Sequence, residues 1–316
     1  MPKKILLKTP YDIKSKIGGM ENVVYSLHEF LLKKGHQVAI SHLHNKVNKY
    51  DAIIIFNIYS INNLFFVIKN YFYKERMIYF TLWHDPYLQA IKDKQLLKKI
   101  KTFLRVAFDM VFNNLQSLII KNKIFYSEFE KNRFKHGKSI IVAGPLNKKN
   151  QTSLKKDTIN YDAIFIGRYA RNKGIDDFIK LAKIQKDKRF AIISPDNITS
   201  QSDNIEIFLN INEQRKYEII NSSKCIVIPS TYESFSLVAL ECINYGLIPI
   251  ISENVMGKDY FKTLCKVHIF KAGEINDLDK VFNKAMKEKF YQLNLHDDNK
   301  SFYFKIESLI NEITNI

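Results

Sequence analysis

Short apolar runs alternate with amphipathic segments along the whole chain. Residues 20–34 place Val23, Leu27 and Leu31 four positions apart, which predicts a helix. A longer helix is predicted over residues 88–120. Apolar runs typical of buried parallel strands occupy residues 3–8, 37–43, 51–57, 77–83, 124–127 and 139–145.

A polar stretch at residues 146–161 separates this series from a second one of the same kind. In the second series, helical patterns near residues 175–186, 212–222 and 235–245 lie between most of the strands. The predicted strands occupy residues 161–168, 190–194, 204–210, 225–230, 247–252 and 266–270. Strands that alternate with helices twice over predict an α/β chain of two Rossmann-like, doubly wound parallel-sheet domains.

The domain boundaries follow from the polar stretch and the end of the second series. The 316 residues suit two domains of about 150 residues each. We place the first domain at residues 1–147 and the second at residues 148–298. Residues 301–314 form a helical pattern with no strand after it, so residues 299–316 are assigned to a terminal helix.

The charge is concentrated in the first half of the chain. The whole sequence holds 49 Lys and Arg against 32 Asp and Glu, a net charge of +17. Residues 1–150 hold 26 basic and 10 acidic residues, whereas residues 151–316 hold 23 and 22. The first half is therefore expected to face nucleic acid, an anionic membrane or a charged substrate. A solvated lysine surface in a lysine-rich proteome is the alternative, and composition does not choose between them.

Several classes of protein are excluded by what the sequence lacks. The three cysteines (Cys225, Cys242 and Cys265) form no CxxC pair, which indicates reduced core residues of a cytosolic protein. No apolar run is long enough for a signal peptide or a membrane span. The sequence also contains no GxSxG, HExxH, Walker A or DxD motif, and no pattern that predicts a metal site.

Candidate chemistry lies in loops that follow predicted strands, where ligands of parallel sheets bind. Arg168 and Lys173 flank the entry to a helix after the strand 161–168. Two fixed cations beside a helix N-terminus suit a diphosphate or another dianion. Ordinary basic residues on a turn are the simpler interpretation of this pair alone.

A second loop and the helix predicted after it carry two glutamates eight residues apart. Glu233 precedes a helix predicted to start near residue 234 or 235, and Glu241 is expected about two turns along. Because apolar residues surround Glu241, its carboxylate needs a partner, which the hydroxyls of a sugar or ribose can supply. The alternatives are a helix cap for Glu233 and a salt bridge within the domain for Glu241.

Two loops of the first domain carry weaker signals. Gly18 and Gly19 follow the first strand, and glycines there let the backbone approach a ligand closely. They do not form the GxGxxG dinucleotide fingerprint. His84 follows the strand 77–83, where it either contacts a ligand or is an ordinary core histidine.

Taken in order, these segments resemble the retaining glycosyltransferases known as glycosyl transferases group 1. The resemblance covers most of the chain and rests on GGMENVVYSLHEFLLKKGHQVAI, YSEFEKNRF, IFIGRYARNKGIDDFI and IPSTYESFSLVALECINYGLIPIIS. Glu233 and Glu241 reproduce the spaced glutamate pair of the family. The resemblance implies the GT-B fold, with two Rossmann-like domains facing across a cleft and the terminal helix returning to the first domain.

The resemblance also implies a role for each candidate residue. Arg168 and Lys173 would hold the donor diphosphate, and Glu233 and His84 would contact the transferred sugar. The Ser236 and Leu237 amides would bind phosphate, Glu241 the ribose, and Gly18 and Gly19 would form the loop that closes over the donor. No metal or other cofactor is expected, because two cations and a helix N-terminus can replace a divalent ion. Ser236 stands where many relatives have glycine.

The implied function is transfer of a sugar, with retention, from a nucleotide-sugar donor to a saccharide or lipid-linked acceptor in bacterial surface polysaccharide or lipopolysaccharide synthesis. A UDP-sugar is the favoured donor, and the first domain would bind the acceptor. Residues 92–105 form a basic amphipathic pattern that suits an anionic membrane surface, so the expected location is cytoplasmic, peripheral on the inner face of the membrane. A packed helix with a solvated lysine face explains the same pattern.

Two other functions stay open on the sequence. The first is a sugar-nucleotide epimerase or a phosphorylase of the same fold, although no motif indicates the lysine that would hold pyridoxal phosphate. The second is a basic, non-enzymatic protein that binds nucleic acid or a membrane. No nucleic-acid partner is expected, because helix-turn-helix, zinc-finger and RNP signatures are all missing from the sequence.

Overall fold

The computed structural model describes residues 1–13, 18–43, 46–56, 61–81, 118–133, 137–145, 158–199, 202–289 and 296–315, together with positions 100, 103, 104, 111 and 115. The chain divides into two compact units. The first unit comprises residues 1–145 and 296–316, and the second comprises residues 146–295.

The first unit is built on a parallel sheet whose strand order is β2-β1-β3-β4-β5-β6. The strands are β1 (Lys4–Lys8), β2 (Gln37–Ser41), β3 (Ala52–Phe56), β4 (Met77–Phe80), β5 (Asn122–Phe125) and β6 (Lys138–Ile141). The helices are α1 (Gly19–Lys33), α2 (Ile61–Lys69) and α3 (Glu128–Arg133), and Tyr71–Arg76 form a 3-10 helix. All five residues of β3 are buried, as expected for a central strand covered on both faces.

The second unit is built on another parallel sheet, with the strand order β12-β11-β10-β7-β8-β9. The strands are β7 (Tyr161–Ile166), β8 (Phe190–Ser194), β9 (Ile205–Leu209), β10 (Ser223–Ile228), β11 (Ile248–Ser252) and β12 (His268–Phe270). The helices are α4 (Ile175–Ile184), α5 (Glu213–Asn221), α6 (Leu237–Asn244), α7 (Lys258–Leu264) and α8 (Ile275–Ala285). The predicted α/β fold of two doubly wound parallel sheets is therefore confirmed.

An aromatic cluster in the core fixes two helices of the second unit on one face of its sheet. The Phe178 and Phe190 rings lie 5.5 Å apart, and the Phe190 and Phe282 rings lie 5.7 Å apart. All three side chains are fully buried. Because Phe178 belongs to α4, this packing sets the position at which α4 begins, next to the loop that follows β7.

The terminal helix α9 (His296–Thr314) packs within the first unit. Tyr303 stacks on Phe30 of α1 with a centroid distance of 4.6 Å, and Phe302 is fully buried. The Lys305 ammonium group donates a hydrogen bond to the Ile141 carbonyl oxygen at 3.1 Å. Within the described ranges, no helix combines the length and the apolar character needed to cross a bilayer.

Some predicted boundaries are wrong for a local reason. The strand predicted at 124–127 runs over Asn122–Phe125, since Lys123 is fully buried in the sheet although its side chain is charged. The helix predicted from residue 234 or 235 begins at Leu237, since Ser236 adopts a left-handed backbone conformation that no α-helix accepts. The predicted helix 88–120 lies mostly outside the described residues.

Candidate functional site

The strand order of the second sheet identifies where its ligand site should lie. The chain goes from β7 to β8 and β9 on one side, and from β10 to β11 and β12 on the other. The order therefore reverses between β7 and β10, which are hydrogen-bonded neighbours. Loops that leave neighbouring strands in opposite directions open a crevice at the carboxyl end of the sheet. We call residues 167–174 and 229–236, which follow these two strands, the switch-point loops.

The switch-point loops are packed directly against each other. The Thr231 amide donates a hydrogen bond to the Asn172 carbonyl oxygen at 2.8 Å. Gly174 has a φ of 68°, and a Cβ atom there would lie 2.0 Å from the Pro229 carbonyl oxygen. Only glycine fits such a position, so this contact fixes the start of α4 beside the second loop.

Lys173 and Glu233 form an ion pair between the two loops. The Lys173 ammonium nitrogen lies 2.9 Å from Glu233 Oε1, and the Ser230 hydroxyl donates to Glu233 Oε2 at 2.8 Å. Both carboxylate oxygens therefore have a partner. The Glu233 side chain is 16% exposed and that of Lys173 30%, so both groups lie close enough to the surface for a ligand to reach.

A third loop, which follows β11, forms two backbone hydrogen bonds with Glu233. The Glu233 amide donates to the Asn254 carbonyl oxygen at 3.1 Å, and the Met256 amide donates to the Glu233 carbonyl oxygen at 2.8 Å. A Cβ atom on Gly257 would lie 2.4 Å from the Phe235 carbonyl oxygen. This loop was not predicted from the sequence, although a glycine so soon after a buried strand was an available signal.

Ser236, and not Glu233, caps the helix α6. Its φ of 73° and ψ of 85° lie in the left-handed region, and its hydroxyl accepts a hydrogen bond from the Ala239 amide at 3.3 Å. The helix-cap interpretation of Glu233 is therefore wrong. The first amides of a helix have no partner inside that helix and attract anions. The predicted binding of a donor phosphate by the Leu237 amide would depend on this attraction.

Arg168 lies on the first switch-point loop, directly after Gly167, and is exposed to solvent. The next residue, Tyr169, is fixed by its amide, which donates to the Asp196 carboxylate at 2.6 Å. Asp196 follows β8, the neighbour of β7 in the sheet. The loop that carries Arg168 is thus held at the carboxyl end of the sheet while the guanidinium group stays accessible.

Glu241 lies in a polar cluster that was not predicted from the sequence. The Lys216 ammonium nitrogen lies 3.0 Å from Glu241 Oε1 and 2.9 Å from the Glu213 carboxylate. The Tyr217 and Tyr245 rings stack beside it, 5.2 Å apart. Because α6 begins at Leu237, Glu241 lies about one turn inside the helix and not two.

The electrostatics of this cluster keep Lys216 charged and both tyrosines neutral. Burial acts to lower the pKa of Lys216, but Glu241 and Glu213 together raise it above its ordinary value. Burial is the main cause that raises the pKa of Tyr217, and the negative charge of Glu241 is the second. The same two causes raise the pKa of Tyr245 to about 12. Of the two predicted partners of this carboxylate, the structure contains the salt bridge, to Lys216, and the contact with ribose stays a prediction.

Two of the predicted donor-binding residues, Gly18 and Gly19, lie in the first unit. Gly18 caps α1 in an extended conformation that any residue can adopt, and Gly19 is the first residue of that helix. Nearby, Glu21 is 5% exposed and accepts a hydrogen bond from the Tyr11 hydroxyl at 2.5 Å. His84 lies outside the described residues, so its predicted contact with the sugar stays a prediction.

In the part of the chain that the structure describes, no group of three or more His, Cys, Asp and Glu residues is arranged to hold an ion. The prediction that donor binding requires no metal stays a prediction.

Two comparisons of the sequence, one with protein families and one with individual proteins, found similar sequences. Residues 147–301 match the family described as "Glycosyl transferases group 1". The "Uncharacterized 41.2 kDa protein in cps region" of Klebsiella pneumoniae is 26% identical over 116 residues, which cover 35% of this chain and 32% of that protein. The match therefore spans about a third of that relative.

Solved structures share the fold over the full length of the chain. Sucrose-phosphate synthase from Thermosynechococcus elongatus has a TM-score of 0.69 at 13% identity, covering 100% of this chain and 98% of that one. WaaG, a glycosyltransferase involved in lipopolysaccharide biosynthesis, has a TM-score of 0.63 at 12% identity, covering 99% and 98%. At these identities the likeness concerns the GT-B fold alone. The family match shows that residues 147–301 of this chain belong to the glycosyl transferases group 1 family.

Proposed function

We propose that this chain is a retaining glycosyltransferase that moves a sugar from a nucleotide-sugar donor, favoured to be a UDP-sugar, to a saccharide or lipid-linked acceptor. The observation that carries the proposal is the Lys173–Glu233 ion pair at the strand-order reversal, on the same two loops that carry Arg168 and lead into α6. A dianion bound at these loops would be stabilised by the two cations and by the N-terminal end of the helix.

The proposed reaction uses these groups as charge stabilisers. Arg168 and Lys173 neutralise the diphosphate as its bond to the anomeric carbon breaks, which makes them the main electrostatic contribution. Lys173 changes partner from Glu233 to the diphosphate, which leaves the Glu233 carboxylate to accept hydrogen bonds from the sugar hydroxyls. The acceptor hydroxyl attacks from the same face, and its proton passes to the departing phosphate oxygen. The anomeric configuration is thereby retained without a metal ion.

The biological setting is proposed from the relatives. WaaG is described as involved in lipopolysaccharide biosynthesis, and the Klebsiella pneumoniae protein is placed in a cps region. Both descriptions support a role in bacterial surface polysaccharide or lipopolysaccharide synthesis.

A donor screen by thermal shift and hydrolysis, with UDP-, GDP-, ADP- and CMP-sugars, tests this function. One nucleotide should stabilise the protein with EDTA present, and Arg168→Ala or Glu241→Ala should abolish that stabilisation. Arg189→Ala is the matched control. Arg189 is exposed at the amino end of β8, whereas the switch-point loops lie at the carboxyl ends of the strands. If DNA or RNA stabilises the protein with steep salt dependence while no nucleotide does, the chain is a nucleic-acid-binding protein instead.

A further inference from the structure

Helix α2 and the 3-10 helix after it expose large apolar side chains. Leu64, Phe66 and Val67 face the core of the first unit and are buried. On the outside, Phe65 is 58% exposed, Ile68 53%, Tyr71 44% and Phe72 95%. We call these four residues the exposed aromatic face. Four such side chains within eight residues form an apolar surface of the kind that marks an interaction site.

The charges around this face are mostly positive. Lys69 and Arg76 are exposed, and the Lys74 ammonium group lies 4.2 Å from the centre of the Tyr71 ring and 2.8 Å from its hydroxyl. The acidic residue of the segment, Glu75, is neutralised by Lys121 at 2.9 Å. The segment that carries the apolar surface therefore also carries three basic residues and one carboxylate that is already paired, which favours an anionic partner.

The same combination continues elsewhere in the first unit. Helical residues between 100 and 118 expose large apolar side chains, and the sequence beside them is rich in lysine. These residues are Ile100, Phe103, Leu104, Val111, Leu115 and Leu118. In the described part of the second unit, by contrast, the exposed large apolar side chains are Tyr169, Ile184 and Leu209. The apolar exposure and the excess positive charge thus coincide in one unit.

We propose that the exposed aromatic face docks the first unit on an anionic lipid bilayer. Aromatic side chains are favoured at the boundary between headgroups and acyl chains, where apolar and polar surroundings meet. Lysine and arginine beside them gain from the negative surface potential of anionic lipid. This docking goes beyond the proposed sugar transfer and uses none of the residues of the donor site.

Vesicle co-sedimentation tests the docking. The full chain should sediment with phosphatidylcholine vesicles that contain phosphatidylglycerol, and not with phosphatidylcholine alone. Phe72→Ser should lower the partition coefficient about tenfold, because one aromatic side chain no longer leaves water. Lys69→Gln should lower it about fivefold. Ile184→Ser and Lys183→Gln, exposed changes in the second unit, are the matched controls and should have no effect.

The outcomes separate docking from the other possibilities. Because Phe72 is almost fully exposed, Phe72→Ser should leave folding and UDP binding unchanged, so a failure of docking is distinguishable from a failure of the donor site. Equal recovery with neutral and anionic vesicles would overturn the proposal. So would a dimer that Phe72→Ser dissociates in sedimentation equilibrium, because the face would then bind a second copy of the chain.

Discussion

Ser236 combines an unfavourable backbone conformation with a favourable hydrogen bond. Its φ of 73° is costly for any residue with a Cβ atom, whereas its hydroxyl caps α6. The departure of Phe235-Ser236 from the Phe-Gly pattern of relatives was visible in the sequence. The left-handed conformation was not, because serine has no preference for it.

Substitution at Ser236 separates the two effects. Ser236→Gly removes the strain and loses little capping, so it should raise the free energy of unfolding by about 1 kcal/mol. Ser236→Ala keeps the strain and loses the cap, so it should lower that free energy by about 1 kcal/mol. Hydrogen exchange of the α6 amides measures both changes. A Ser236→Gly variant as destabilised as Ser236→Ala would show that the cap outweighs the strain.

At the scale of elements, apolar periodicity predicted the sheets well because both central regions are buried on two faces. It did not predict where the strands and helices end, because their ends depend on caps and on buried charged residues such as Lys123. Helix α8 was missed although Leu278, Val281 and Phe282 carry the expected spacing. The contacts between the loops were also beyond prediction, because periodicity says nothing about which loops meet.

Gly174 joins two elements through a contact that only glycine allows. Gly174→Ala should lower the free energy of unfolding by at least about 3 kcal/mol, since its Cβ would overlap the Pro229 carbonyl group. Gly35→Ala is the matched control: Gly35 has a φ of 84°, but a Cβ atom there would have no neighbour within 4 Å, so the change should cost only about 1 kcal/mol. Hydrogen exchange of the strands in each unit measures the effect. Equal costs at both positions would contradict the packing argument.

His36 makes the packing of α9 on the first unit sensitive to pH. Its Nδ1 accepts a hydrogen bond from the Lys3 amide at 3.2 Å, and its Nε2 lies 4.0 Å from the Glu307 carboxylate. Burial lowers the pKa of His36 below 6.5, with Lys3, Lys34 and the N-terminus acting in the same direction and Glu307 against them. The unfolded chain therefore binds more protons between the two pKa values, so stability is full above pH 6.5 and is lost as the pH falls toward the folded-state pKa.

Urea unfolding followed by hydrogen exchange of the β1 and β3 amides measures this effect, because both strands belong to the first unit. The midpoint should fall as the pH is lowered from 6.5, and His36→Gln should reduce that dependence. His268→Gln, in the second unit, is the control and should leave the unfolding of β1 and β3 unchanged. A midpoint that rises on acidification would contradict the assignment.

At the scale of the whole molecule, most of the net charge lies in one unit and the switch-point loops lie in the other. Most of the net charge of +17 lies in residues 1–150, whereas the donor-site candidates use the local cations of a nearly neutral second half. The motifs in the sequence were enough to predict the family and the fold. The pairs Lys173–Glu233 and Lys216–Glu241 were not predictable, because residues 60 and 25 positions apart carry no local signal that they meet.

The most direct test of the proposed site compares the rate of donor turnover by Lys173→Met with that of Lys180→Met. Both changes remove a lysine from an ion pair of about the same length in the second unit, but Lys180 bonds Asp177 on the surface of α4. Lys173→Met should lower kcat by about 10²- to 10³-fold with little loss of stability, and Lys180→Met should leave kcat unchanged. If Lys173→Met turns over the donor at the wild-type rate, the switch-point loops do not form the catalytic site.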